Sequence, residues 1–268
     1  VPASLAADAL PRRRRQSHKG DYGHVLVVGG GPGMPGAARL AGEAALRAGA
    51  GRVSVAAHPS GIAAIPAGRP ELMCHAVEDG DDLAALVEAA SVVALGPGLG
   101  QSDWARGLFV ALRKVDRPMV VDADGLNLLA AEPDSKVRRV LTPHPGEAAR
   151  LLASDTATVQ ADRLQALERL QNRYGGCIVL KGHHTLTSRR GREPWLCTAG
   201  NPGMASAGMG DVLTGLVAGL LAQGLDEETA AAVAVDVHGR AGDVAAGAAE
   251  RGLLASDLLA ELRPWLNP

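Results

Sequence analysis

Aromatic side chains are scarce, with one Phe, two Tyr and three Trp in 268 residues. A core must therefore be assembled from Ala, Val and Leu, and no interleaved rings are present to stack single-stranded bases. Cysteine is rarer still. Cys74, Cys177 and Cys197 are odd in number and widely spaced, which excludes a disulfide framework and a CxxC zinc pair and favours a reducing compartment, the cytoplasm. Neither sign of charge dominates: 27 Lys and Arg face 29 Asp and Glu, so no global field exists to hold nucleic acid or an anionic membrane. The basic run Arg12–Arg15 reads as a solvated arm or a helix-end charge cluster. Long apolar runs are missing too. The best candidate, Val212–Leu221, is short and interrupted by glycine, so no membrane span is expected. The first residues lack the basic-then-apolar order of a signal peptide. There is no GxxxxGK[ST] phosphate loop and no GxSxG; Ser206 sits in MASAG.

What the chain does have is alternation. Short β-branched runs are expected as strands at His24–Val28, Arg52–Ala56, Val92–Leu95, Pro118–Val121, Val137–Leu141 and Cys177–Leu180. Between them, helical spacing predicts helices over Gly36–Ala48, Asp81–Ala89, Asp103–Lys114 (with Ser102 as N-cap), Leu126–Ala131, Gly146–Ala153 and Ala161–Tyr174. A hairpin around Leu186 and Trp195 would close one edge, and helices from Asp211, from Thr229 and after Ser256 complete the chain. This pattern predicts one α/β domain spanning 1–268, with residues 1–17 as a lead-in arm and a mostly parallel sheet covered on both faces.

In such a sheet, ligands bind beyond the carboxyl ends of the strands. The polar motifs follow that rule: GGGPGMPG (29–36), GPGLG (96–100), DADGLN (122–127), TPHPGE (142–147), KGHHT (181–185) and NPGMASAGMGDVLTG (201–215) all come after predicted strands. The first contains a formal GxGxxG (Gly31, Gly33, Gly36), but the second strand ends in Val55, Ala56, Ala57, His58 with no acid to hold a ribose. A dinucleotide redox site is therefore disfavoured, and tight helix–strand packing is the competing explanation of these glycines. The most informative motif is GMGD (208–211). Two glycines before a helix free amides to meet an anion, and Asp211 stands at its mouth, either as a general base or as a simple N-cap. Glu147 and Asp122 or Asp124 are further carboxylates at this edge, of the kind that hold Mg²⁺ with a nucleotide. The adjacent His183 and His184 diverge at a strand end and do not suggest zinc.

Taken in order, HKGDYGHVLVVGG, PGAARLAG, GPGLG, DADGLN, LTPHPGE, VLKGHHT and NPGMASAGMGDVLTG resemble the ADP/ATP-dependent NAD(P)H-hydrate dehydratases of the ribokinase-like superfamily, from His18 to about His238. The resemblance implies a three-layer αβα fold and repair of the hydrates NADHX and NADPHX with ADP (or ATP) and Mg²⁺. It implies that Ala37, Gly98, Gly100 and the stretch from His144 to Arg150 line the hydrate pocket, and that Asp211 touches the hydrate as base. Lys181, Gly182, His183, His184 and Thr185, with the loop from Asn201 through Gly208, Met209 and Gly210, would hold the nucleotide, and Glu147 would contact metal through water. The middle residue of GMGD departs from the superfamily's GAGD, and HxxE (His144, Glu147) replaces the NxxE of many small-molecule kinases. A homo-oligomer and fusion to, or cooperation with, a hydrate epimerase are further implications. A vitamin-precursor kinase of the same fold, a NAD-dependent oxidoreductase and a non-catalytic nucleotide sensor remain as alternatives.

Overall fold

The computed structural model describes residues 5–267. Its elements run α1 (Leu5–Ala9), β1 (His24–Val28), α2 (Pro35–Ala48), β2 (Arg52–Ala57), α3 (Ala64–Gly68), β3 (Met73–Ala76), α4 (Ala84–Ala89), β4 (Val92–Leu95), α5 (Asp103–Arg113), β5 (Met119–Val121), α6 (Ala123–Ala131) and β6 (Arg139–Leu141). They continue α7 (Pro145–Leu151), α8 (Thr156–Ala161), α9 (Arg163–Tyr174), β7 (Cys177–Leu180), β8 (Thr185–Arg189), β9 (Trp195–Cys197), α10 (Met209–Ala222), α11 (Glu227–Ala246) and α12 (Ala255–Trp265).

The strands form one sheet in the order β3-β2-β1-β4-β5-β6-β7-β8-β9. From β3 to β7 every pairing is parallel; β8 and β9 add the expected antiparallel hairpin at the edge. Both faces are buried, so the strands alternate apolar against apolar. Val25 and Val27 point into a core shared with α2, α10, α11 and α12, whereas Leu26 and Val28 point into a second core under α5, α6, α7 and α9. This is the three-layer arrangement that the alternation predicts. The chain leaves β1 towards β2 on one side and returns to β4 on the other. The crevice beyond β1 and β4 is therefore the topological switch point, where open sheets bind ligands.

Several boundaries differ from the sequence expectation, each for a local reason. The helix expected over 161–174 is broken at Asp162, whose carboxylate caps α9 by accepting the Gln165 amide at 2.8 Å. The helix expected from Leu126 begins at Ala123, which adopts a left-handed φ of 48° directly after Asp122. The helix expected from Asp211 begins two residues earlier, with Gly208 as its N-cap at φ 91°. Strand β3 and helices α1, α3 and α8 have no counterpart in the sequence expectation. Of the lead-in arm 1–17, residues 1–4 lie outside the described residues; Leu5, Ala6, Ala9 and Leu10 pack against the α11–α12 core. Arg13 donates to the Gly49 carbonyl and to Gln223, and its guanidinium lies 3.7 Å from the Tyr22 ring centroid, so it serves as a helix-end cap. The three cysteines are free thiols, and no helix among the described residues is long and apolar enough to cross a membrane.

Candidate active site

Asp122 directly follows β5 with its side chain buried, and it is the hub of the site. One carboxylate oxygen accepts from Lys181 Nζ at 2.8 Å, the other from Thr214 Oγ1 at 2.8 Å. Lys181 directly follows β7, and its backbone amide is fixed on the Pro143 carbonyl at 2.9 Å. Its ammonium also lies 3.7 Å from Glu147 Oε2. Glu147 belongs to the capping box that opens α7. Its Oε2 accepts the His144 amide at 2.7 Å, while His144 Nδ1 accepts the Gly146 and Glu147 amides at 3.0 and 3.4 Å. The prolines flanking His144 hold that turn in shape. Asp211 lies in the first turn of α10. It is not the N-cap, which corrects one of the two roles open to it; no described residue hydrogen-bonds its carboxylate.

One lysine among three carboxylates sets the electrostatics. Burial pushes Asp211 up to about 7, Asp122 and Glu147 push the same way, and Lys181 only partly offsets them. Burial likewise raises Glu147 to about 7 against the pull of Lys181. Burial pulls Lys181 down, but its attraction to Asp122 and Glu147 outweighs that and holds the ammonium above its ordinary value. Two acids are therefore raised towards neutrality beside a group that stays cationic. That combination suits proton transfer.

Around this cluster the expected residues fall as follows. A Cβ at Gly98 would sit 2.9 Å from the Ala37 side chain and 2.6 Å from the Met34 carbonyl, so these two expected positions form one wall; Gly100 follows, its amide on Asp124 Oδ2 at 2.9 Å. The glycines of the first loop serve packing: the Gly30 and Gly31 amides bond the Pro97 and Gly98 carbonyls at 2.9 and 2.7 Å. A Cβ on Gly210 would come within 3.3 Å of both Asp122 Oδ2 and Lys181 Nζ, which puts the start of α10 directly over the ion pair. The amides of Met209, Gly210 and Asp211 have no carbonyl one turn before them, and such unpaired helix-start amides can receive an anion. The Met209 side chain is buried.

The KGHHT turn is arranged differently from a metal site. Thr185 Oγ1 donates to the Gly182 carbonyl at 3.0 Å, and Arg163 clamps the turn through the Leu180, Lys181 and His184 carbonyls. The exposed His183 and His184 rings stack 3.8 Å apart and line a small cavity with Gln160, Arg163, Leu186 and Leu196. Asn201 spends its side chain inside the protein, Oδ1 accepting from the Gly203 amide at 3.0 Å and Nδ2 donating to Asp243 at 3.0 Å. No group of three or more His, Cys, Asp or Glu among the described residues is arranged to hold a metal ion. A divalent cation that arrives on phosphate oxygens and waters needs only one or two carboxylates, and Glu147 beside Lys181 fits that case.

Sequence reasoning missed Thr214, His238, Asp243 and Arg163. Thr214 carried a faint signal, one turn after Asp211 on the same helix; the other three act across the fold and carried none. Arg12–Arg15 line a cleft of about 1430 Å³ with Arg47 and Arg263, at the opposite, amino end of the sheet.

Comparison with known proteins adds to this geometry. A profile of the family described as NAD(P)H-hydrate dehydratase matches residues 25–264. The chain is 52% identical over 260 residues to a bifunctional NAD(P)H-hydrate repair enzyme of Coxiella burnetii, covering 97% of this chain and 53% of that protein. It thus spans about half the length of that relative. It is 40% identical over 266 residues to an ADP-dependent (S)-NAD(P)H-hydrate dehydratase of Neisseria meningitidis, covering 95% of this chain and 88% of the other. Among solved structures, an ADP/ATP-dependent NAD(P)H-hydrate dehydratase from Bacillus subtilis, co-crystallised with ATP/Mg²⁺, superposes with a TM-score of 0.87 at 29% identity over 98% of this chain and 96% of that one. An Arabidopsis thaliana ribokinase, 15% identical over 90% of this chain and 99% of that one with a TM-score of 0.59, shares the fold alone, which is the ribokinase-like architecture expected from the motifs.

Proposed function

Because the chain belongs to the NAD(P)H-hydrate dehydratase family, we propose that it returns NADHX and NADPHX to NADH and NADPH with ADP as phosphoryl donor. The observation that carries this is Asp211: a carboxyl held near neutrality, free of side-chain partners, in the first turn of the anion-binding helix above Lys181 and Asp122.

The C6 hydroxyl of the hydrate is a poor leaving group. Asp211 takes its proton as the oxygen attacks the terminal phosphoryl of ADP; the phosphorus–oxygen bond to AMP breaks and AMP departs with that electron pair. The amides of Met209 and Gly210 receive the oxygens of the transferred group, and Lys181 adds positive charge from below. The C6–O bond then breaks with the electrons leaving on phosphate, the ring nitrogen's lone pair compensates, and loss of the C5 proton restores the dihydropyridine. The products are NAD(P)H, phosphate and AMP. Mg²⁺, when bound with the nucleotide, would neutralise phosphate charge, and Glu147 would be the carboxylate to hold it through water. Ala37, Gly98, Gly100 and His144 flank the hydrate, and Lys181–Thr185 with Asn201–Gly210 surround the nucleotide. In this assignment Asn201 shapes its loop rather than touching the ligand with its side chain, both polar atoms of which are engaged.

Incubation with NADHX, ADP and Mg²⁺ should restore the reduced-nicotinamide absorbance and release one phosphate per turnover. A stable phosphorylated product without recovered absorbance would instead identify a small-molecule kinase. The proposal extends to ADP over ATP, a single catalytic domain over 1–268, a cytoplasmic homo-oligomer, and an epimerase as fused or separate partner. Comparing kcat/KM for the two nucleotides, and light scattering at micromolar concentration, test the first and third of these.

A further inference from the structure

Helix α11 is not part of any motif, yet one of its faces touches the loop between β9 and α10, and the first residue of α10, at four positions. His238 Nε2 lies 3.0 Å from the Met209 carbonyl; a carbonyl only accepts, so Nε2 carries the proton. Burial drives this imidazole down to about 4, so it stays neutral in that role. Gly239 and Gly242 let the loop lie against the helix, since a Cβ would fall 2.8 Å from the Ala199 carbonyl at the first and 2.4 Å from Met204 Sδ at the second. Asp243 then accepts from the Gly200 amide at 3.0 Å and from Asn201 Nδ2 at 3.0 Å. Positions 238, 239, 242 and 243 share one helical face.

Asp243 is oddly placed for a stabilising residue. It occupies the last turn of α11, where the helix dipole disfavours a carboxylate and where no basic residue is present. Its bonds also fix the Asn201 amide in one orientation, because Asn201 Oδ1 is committed to the Gly203 amide. We infer that Asp243 and Asn201 form a latch that positions the loop 200–210, and through it the anion-binding amides, for the nucleotide. Asp243 is a positioning residue in this role, and His238 fixes the other end of the same loop. The inference rests on the nucleotide site assigned above.

The hydrogen-bond pattern supplies its own test. Asp243→Asn sets a donor against a donor, at either Gly200 N or Asn201 Nδ2. Asn201→Asp alone sets two carboxylates face to face. Together, N201D and D243N exchange partners and restore all three bonds. The carboxylate now at position 201 accepts from the Gly203 amide and from the side-chain amide now at position 243, whose carbonyl oxygen accepts from the Gly200 amide. Each single variant should weaken ADP binding about tenfold by calorimetry with Mg²⁺ present, the scale of a lost hydrogen bond to a charged group, with KM for ADP rising alike and kcat within about twofold. The double variant should recover to within about threefold of the original protein, a coupling that independent sites do not show. ADP affinity within about twofold in both singles, or a double variant no better than either, overturns the latch, even where Tm falls. Amide exchange at Gly200 and Gly203 in nucleotide-free protein gives a separate reading: it should quicken in the singles and return in the double. Should the unaltered protein bind no ADP, the functional proposal fails while the exchange data still decide the latch, which unchanged exchange refutes.

Discussion

Replacing Asp211 by Asn separates catalysis from stability. The helix cap is Gly208, so the substitution leaves the start of α10 intact. An acid raised in the folded state destabilises that state above its unfolded value. The penalty is absent below about pH 4, grows as pH rises, and is complete once pH passes the folded value of about 7. The distance from 3.8 to about 7, discounted for partial exposure, corresponds to on the order of 2–4 kcal/mol. Asn escapes that penalty but forfeits roughly 0.3–1 kcal/mol of attraction to the helix N-terminus. Asp211→Asn should therefore raise Tm at pH 8 by about 3–10 °C, a difference that shrinks towards pH 4. Turnover of NADHX should fall about 10²–10⁴-fold, the contribution of a positioned base. Calorimetric melts at pH 8 and pH 4, with kcat from the nicotinamide absorbance, measure both. Near-normal turnover would refute the assignment of the base; a lower Tm at pH 8 would refute the electrostatic account of the site.

Lys181→Met leaves Asp122 buried with only Thr214 as partner, and should cost about 3–5 kcal/mol in urea unfolding. Since Lys181 holds Asp211 down, the residual activity should lose its acidic limb at higher pH than in the unaltered protein. Gly208→Ala forces a side chain into φ 91° and within 2.7 Å of Leu40 Cδ1. That should cost about 1–2 kcal/mol and raise KM for ADP, because the helix start must tilt away; an unchanged KM would show that those amides do not hold the nucleotide.

The sheet was legible in the sequence because its central strands are buried on both faces and read as uninterrupted apolar runs. Strand β3, Met73–Ala76, was not, because it sits at an edge where half-exposed residues carry no alternation. The motifs after each strand were legible as one cluster, since the parallel topology delivers every such loop to one edge. What each residue does there was less legible. GMGD left Asp211 as either base or cap; the left-handed turn at Gly208 starts the helix early, removes the cap role and leaves the carboxylate without a hydrogen-bond partner. Asp122 showed as one carboxylate among several, whereas its partners Lys181 and Thr214 lie 59 and 92 residues away and only the fold joins them. His238 and Asp243 gave no signal at all, because their partners are single backbone or amide atoms across the α11 face.

Glu147 tests how far the carboxylates act together. Gln at this position keeps the capping box, because its carbonyl can still accept the His144 amide as Glu147 Oε2 does at 2.7 Å. The fold should therefore persist, and Tm at pH 8 should rise, because Gln escapes the penalty of an acid that burial raises to about 7. The negative charge is lost, and that charge is one of the groups holding Asp211 up near 7. Without it the Asp211 anion forms more readily, so the acidic limb of kcat/KM, expected near pH 7, should move to lower pH. If Glu147 also faces the nucleotide's Mg²⁺ through water, the Mg²⁺ concentration needed for half-maximal rate should rise in the same variant. The two effects are independent: the first requires only proximity to Asp211, the second a role at the metal. A limb that stays in place or moves to higher pH would show that the two carboxyls are not coupled. A limb that shifts with an unchanged Mg²⁺ requirement would leave Asp211 as the base and remove Glu147 from the metal.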